Sequence, residues 1–63
     1  MKRWYNVTLN KDDAEKFKAF LKLNGIYFEP SSCYDMIHFE IKVDEMELNM
    51  ADTFLEALDK ELR

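Results

Sequence analysis

From Met36 to Val43 apolar and polar residues alternate without a break, Met-Ile-His-Phe-Glu-Ile-Lys-Val. Successive side chains of a β-strand point to opposite faces. Ile37, Phe39, Ile41 and Val43 therefore share one face, and Met36, His38, Glu40 and Lys42 the other. A period of two over this length predicts a half-buried strand. Residues 3–9 alternate in the same way, with Tyr5, Val7 and Leu9 on one side and Trp4, Asn6 and Thr8 on the other, and predict a first strand. Between them the period changes. Ala14, Phe17, Phe20 and Leu21 fall at helical spacing over residues 11–23, with Asn10 as N-cap, Asp12 and Asp13 in the first turn, and Asn24-Gly25 as the stop. Ile26 is placed to pack back on the last turn.

Residues 26–29 predict a short second strand, Ile26 and Phe28 facing the core and Tyr27 and Glu29 facing away. Pro30 lacks an amide donor and marks the end of that strand or an edge position. Residues 30–33, Pro-Ser-Ser-Cys, predict the turn into the third strand, which extends back as far as Tyr34. A second helix carries the stripe Leu48, Ala51, Phe54, Leu55, Leu58 and Leu62 and is expected to reach the C-terminus. Its start is open between Asp44, with Glu47 three positions on, and Asn49, with Asp52 three positions on.

The order β-α-β-β-α predicts an α+β two-layer sandwich. Both helices lie on one face of a three-stranded sheet of order 1-3-2, the first and second strands parallel and the third antiparallel between them. The arrangement resembles the ferredoxin-like motif without its last strand, which leaves the first strand at an edge with unpaired amides and carbonyls. Repeats, linkers and low-complexity segments are absent from the sequence, and its 63 residues are read as one domain. So small a domain has little stability to spare, and self-association or a partner is expected.

Charge refines this picture. Residues 1–22 hold six Lys/Arg and three Asp/Glu, whereas residues 23–63 hold three and ten, for a net −4. One cysteine cannot form an internal disulfide, no signal-peptide pattern is visible, and no run approaches a membrane span, so a soluble cytoplasmic protein is expected. The single histidine, His38, shares a face with Glu40, with Glu29 expected across from it, but a lone histidine on an open sheet lacks a nucleophile or oxyanion donors. One Cys and one His fall short of a zinc site, a single Gly gives no phosphate-cradling loop, and the acids of the second helix lack an EF-hand pattern. No catalytic residue, metal or cofactor is expected.

Contact surfaces remain. By parity the uncovered sheet face presents Trp4, Tyr27, Tyr34, Met36 and His38, an apolar content that marks a partner-binding site. The alternative is that these long aromatics only support cross-strand packing, with Trp4 and Lys42 as a simple cation–π pair. The acids Asp44, Glu45, Glu47, Asp52, Glu56 and Asp59 line the second helix, either as a solvated face attracted to the basic first helix or as a mimic of nucleic-acid charge. Met46 and Met50 lie off its apolar stripe. Aromatics on an open sheet of this topology resemble RNA-recognition modules. The acidic balance and the absence of a basic, glycine-containing third strand oppose nucleic-acid binding, although single-stranded binding on the sheet is retained as an alternative. The leading expectation is a small non-enzymatic regulator or inhibitor that binds a protein partner, with a homodimer through the first strand as a further possibility. In size and charge it is similar to inhibitors of nucleic-acid enzymes made by phages and mobile elements.

Overall fold

The two periodicities are realised as β1 (Arg3–Asn10), α1 (Lys11–Leu23), β2 (Tyr27–Cys33), β3 (Met36–Val43) and α2 (Glu45–Ala57). The structure is a computed structural model and describes residues 1–58. α2 ends at Ala57 with Leu58 as its C-cap, short of the expected run to the C-terminus, and Asp59 and Leu62 lie outside the described residues.

The strands form one sheet of order β1-β3-β2, with β3 antiparallel to both neighbours. The fold is thus the expected α+β two-layer arrangement with an open sheet. On the covered face Val7, Leu9, Phe39, Ile41 and Val43 are buried together with Ala14, Phe17 and Leu21 of α1 and Ala51 and Leu55 of α2. Both helices therefore lie on the same side. Phe17 meets Phe39 edge-on at 5.3 Å, and Phe20 stacks on Phe54 at 4.5 Å, so aromatic packing joins α1 to the sheet and to α2.

Each helix boundary has a local cause. Asn10 Oδ1 accepts the Asp13 amide at 2.8 Å and caps α1. At the other end the Ile26 amide donates to the Leu21 carbonyl at 2.9 Å and the Gly25 amide to that of Lys22 at 3.2 Å. With Gly25 at φ 65°, this is a Schellman closure. Ile26 and Leu21 are both buried, which supplies the apolar contact that goes with it. Of the two starts open for α2, the structure takes Asp44. Its Oδ1 accepts the Glu47 amide at 2.8 Å and Glu47 Oε1 accepts the Asp44 amide at 3.0 Å, a reciprocal capping box.

The hairpin departs from the sequence expectation. Residues 30–33 are not a turn but the second half of β2, with Pro30 opposite Phe39 and Cys33 opposite Met36. The reversal is the two-residue loop Tyr34-Asp35, and β3 begins at Met36 rather than at Tyr34. Pro30 is tolerated because β2 is an edge strand, where a missing amide need break no ladder bond. Ile26 precedes β2 instead of opening it.

Candidate functional site

The pairing register lays the uncovered face out as four rows across β1, β3 and β2: Trp4, Lys42, Tyr27; Asn6, Glu40, Glu29; Thr8, His38, Ser31; and Asn10, Met36, Cys33. Directly paired residues share a face, and this set alternates with the core-facing positions along β1 and β3; in β2 only Phe28 is part-buried, and Pro30 and Ser32 are exposed.

The first row is aromatic. Trp4 is 48% and Tyr27 57% exposed, and their rings meet edge-to-face at 5.9 Å. Lys42, between them in register, holds Nζ 5.8 Å from the Trp4 ring centroid, a cation–π pair. The second row is acidic. Glu40 stands opposite Glu29, both exposed. The Tyr27 hydroxyl donates to Glu29 Oε2 at 2.9 Å. That hydrogen bond, with the nearby carboxylate charge and slight desolvation behind it, pushes the Tyr27 phenol above its ordinary range.

The third row corrects an expectation. His38 does not face Glu29. It lies between Thr8 and Ser31, and a 3.0 Å hydrogen bond joins its Nδ1 to Thr8 Oγ1. The partners of the imidazole are thus hydroxyl residues, because the hairpin is longer than the turn chemistry of residues 30–33 implied. The fourth row brings half-exposed Met36 beside the exposed thiol of Cys33.

Of the residues anticipated for partner binding, Trp4 and Tyr27 are therefore in contact, and Met36 and His38 lie towards the other end of the same face. Tyr34 is not on that face. It occupies the hairpin tip, 98% exposed, at φ 56°. The Glu29–Glu40 pair is what sequence reasoning missed. Both were placed on the face, but their opposition depends on the register of β2, which the mislocated turn concealed.

The acidic residues of α2 divide by role. Asp44 and Glu47 make the capping box, and Glu47 also pairs with Lys2 at 3.3 Å. This ion pair ties α2 to the start of the chain rather than to α1. Glu45, Asp52 and Glu56 are exposed, as are Met46 and Met50, and Asp59 lies outside the described residues. On the helix side a groove of about 410 Å³ runs between the start of α1 and the hairpin, with Lys11, Asp12, Glu15 and Lys18 along one wall.

Among the described residues no group of three His, Cys, Asp or Glu is placed to hold a metal ion, and no helix is long and apolar enough to cross a membrane. Comparison with protein-family models, with curated proteins and with solved structures finds no match for the chain.

Proposed function

We propose that this chain is a non-enzymatic protein-binding module, a regulator or inhibitor that covers part of a partner's surface with its open sheet face. One observation carries the reading: Trp4 and Tyr27 stand about half exposed and in mutual contact on the sheet face opposite α1 and α2. Exposed Trp and Tyr lose little conformational entropy on docking and bury much area, which is why such residues anchor interfaces. The edge-to-face contact and the Lys42 ammonium hold Trp4 in place before any partner arrives. The experiment is photo-crosslinking in the cells that make the protein, with a photoreactive phenylalanine analogue at Tyr27 and, as control, at Thr53 on the outer side of α2. A discrete protein adduct from position 27 and none from position 53 is the expected result. Equal labelling from both positions, or none from either, removes the reading.

A second contact is supported by the edges. β1 is eight residues long, contains no proline and, among the described residues, is unpaired on its outer side, whereas the other edge, β2, is interrupted by Pro30. A second copy of the chain adding to β1 would continue the sheet and form a homodimer.

A further inference from the structure

The open-face reading leaves the chemistry of the occupant unnamed, and the second row of the face bears on it. Resting on that reading, we propose that the occupant is an extended, arginine-bearing segment of a basic protein, its guanidinium lying between Glu29 and Glu40 beside the Trp4–Tyr27 corner.

Like charges directly opposite one another on a sheet are unfavourable. Among the described residues only the Tyr27 hydroxyl, which donates to Glu29 Oε2 at 2.9 Å, eases the pair, and no cation does. Neither Glu29 nor Glu40 has an ion-pair partner, and the one cation on the face, Lys42, is turned over the Trp4 ring. A guanidinium answers both features. Its planar fork donates to two carboxylates, and its face stacks on aromatic rings. The position of Lys42 Nζ shows that a cation is accommodated against Trp4.

Spacing selects an extended segment. The aromatic and acidic rows are two residues apart on each strand, roughly 6.6 Å, the distance between alternate side chains of an extended peptide. An apolar residue over Trp4 and Tyr27 thus sets an arginine two positions along over the acids. Charge argues against other occupants. A second copy laid face to face would bring up a face of the same net negative charge, and a nucleic acid would bring phosphates to the acids with Lys42 as the sole Lys or Arg of the four rows.

The probe is a blocked peptide in which serine alternates with leucine, arginine and valine, leucine and arginine standing two positions apart. Counterparts carry glutamine or glutamate in place of arginine. Binding to the full chain is followed by amide chemical shifts and by Trp4 fluorescence at low salt. The arginine peptide should move the signals of Trp4, Tyr27, Glu29 and Glu40 and bind about tenfold or more tightly than the glutamine peptide. Glu40→Gln should weaken it by about fivefold or more without lowering the thermal midpoint, since it removes a like-charge contact. Glu56→Gln removes the same charge from α2 and should leave the affinity within about twofold, which separates a defined site from general attraction to an acidic protein. Equal binding of the glutamine peptide, equal effects of the two substitutions, or no binding overturns the proposal. So does a thymidine oligonucleotide that moves the same signals, or a second copy closing the face, read as concentration-dependent shifts of the Tyr27, Glu29 and Glu40 amide signals in the free chain. If position 27 still crosslinks a protein while the arginine peptide fails, the occupant is wrong and the contact surface stands. If the crosslink also fails, both fall.

Discussion

Tyr34 holds a backbone conformation that L-residues avoid. At φ 56° its Cβ crowds the following carbonyl, a cost of roughly 1–2 kcal/mol that glycine escapes. The ring recovers none of this by packing, since it is 98% exposed. Tyr34→Gly should therefore raise the stability of the folded chain by about 1 kcal/mol after glycine's larger unfolded-state entropy is set against the relief, read as a higher urea midpoint with unchanged slope. A lower midpoint would mean the phenol ring is held by contacts the structure does not contain. Tyr27, seven positions earlier, differs in kind. Its hydroxyl donates to Glu29, and its phenol is raised above the ordinary value, so the folded state favours the neutral form. Whatever stability this hydrogen bond adds is present below the ordinary tyrosine pKa of about 10 and is lost as pH rises through the raised value. Spectroscopic titration of the phenols should show an alkaline-shifted component that Tyr27→Phe abolishes and Glu29→Gln moves back towards the ordinary range. If Glu29→Gln leaves that component in place, the hydrogen bond is not its cause.

At the scale of elements, what was legible in the sequence was whatever one buried face enforces over several residues. Ile37, Phe39, Ile41 and Val43 repeat at two, and Ala14, Phe17 and Leu21 at three and four, because each set has to reach one core. Turns have no such repetition. Pro30-Ser31-Ser32 has turn chemistry yet lies in a strand, and Tyr34-Asp35 lacks Gly and Asn yet makes the reversal. Pairing along the whole of β3 outweighs the local preference. The start of α2 was ambiguous for a related reason: Asp44 and Asn49 both precede an acid at the third position, and the end of β3 at Val43 decides between them. Two substitutions weigh these boundaries. Asp44→Ala removes one half of the capping box and should cost about 1–2 kcal/mol. Gly25→Ala places a Cβ that meets nothing within 4 Å, so its cost is that of the left-handed backbone alone, about 1 kcal/mol. Calorimetric or urea unfolding measures both. A Gly25→Ala cost well beyond that would point to contacts around the Schellman turn that the open surroundings of Gly25 do not show.

At the scale of the molecule, the core of the described residues lies on one side of a three-stranded layer, and the two borders of that layer are unequal. Pro30 blunts β2, but nothing comparable interrupts β1. A second copy is therefore expected to add to β1, antiparallel about a two-fold axis. Register is constrained by parity. Residues directly opposite share a face, so the numbers of two paired β1 residues must sum to an even value, or a buried side chain would face an exposed one. The registers centred on β1 pair Asn6 with itself and Trp4 with Thr8, or Asn6 with Thr8. Both residues are exposed, so charges placed there leave the core intact. In either register the double substitution Asn6→Lys with Thr8→Lys sets lysine against lysine and should raise the dimer dissociation constant by about tenfold, as sedimentation equilibrium would measure. Asn6→Lys with Thr8→Glu restores association only if Asn6 pairs with Thr8, which fixes the register. Lysines at Ser31 and Cys33 on β2 should leave association unchanged, and if they dissociate the dimer instead, the interrupted edge is the one in use.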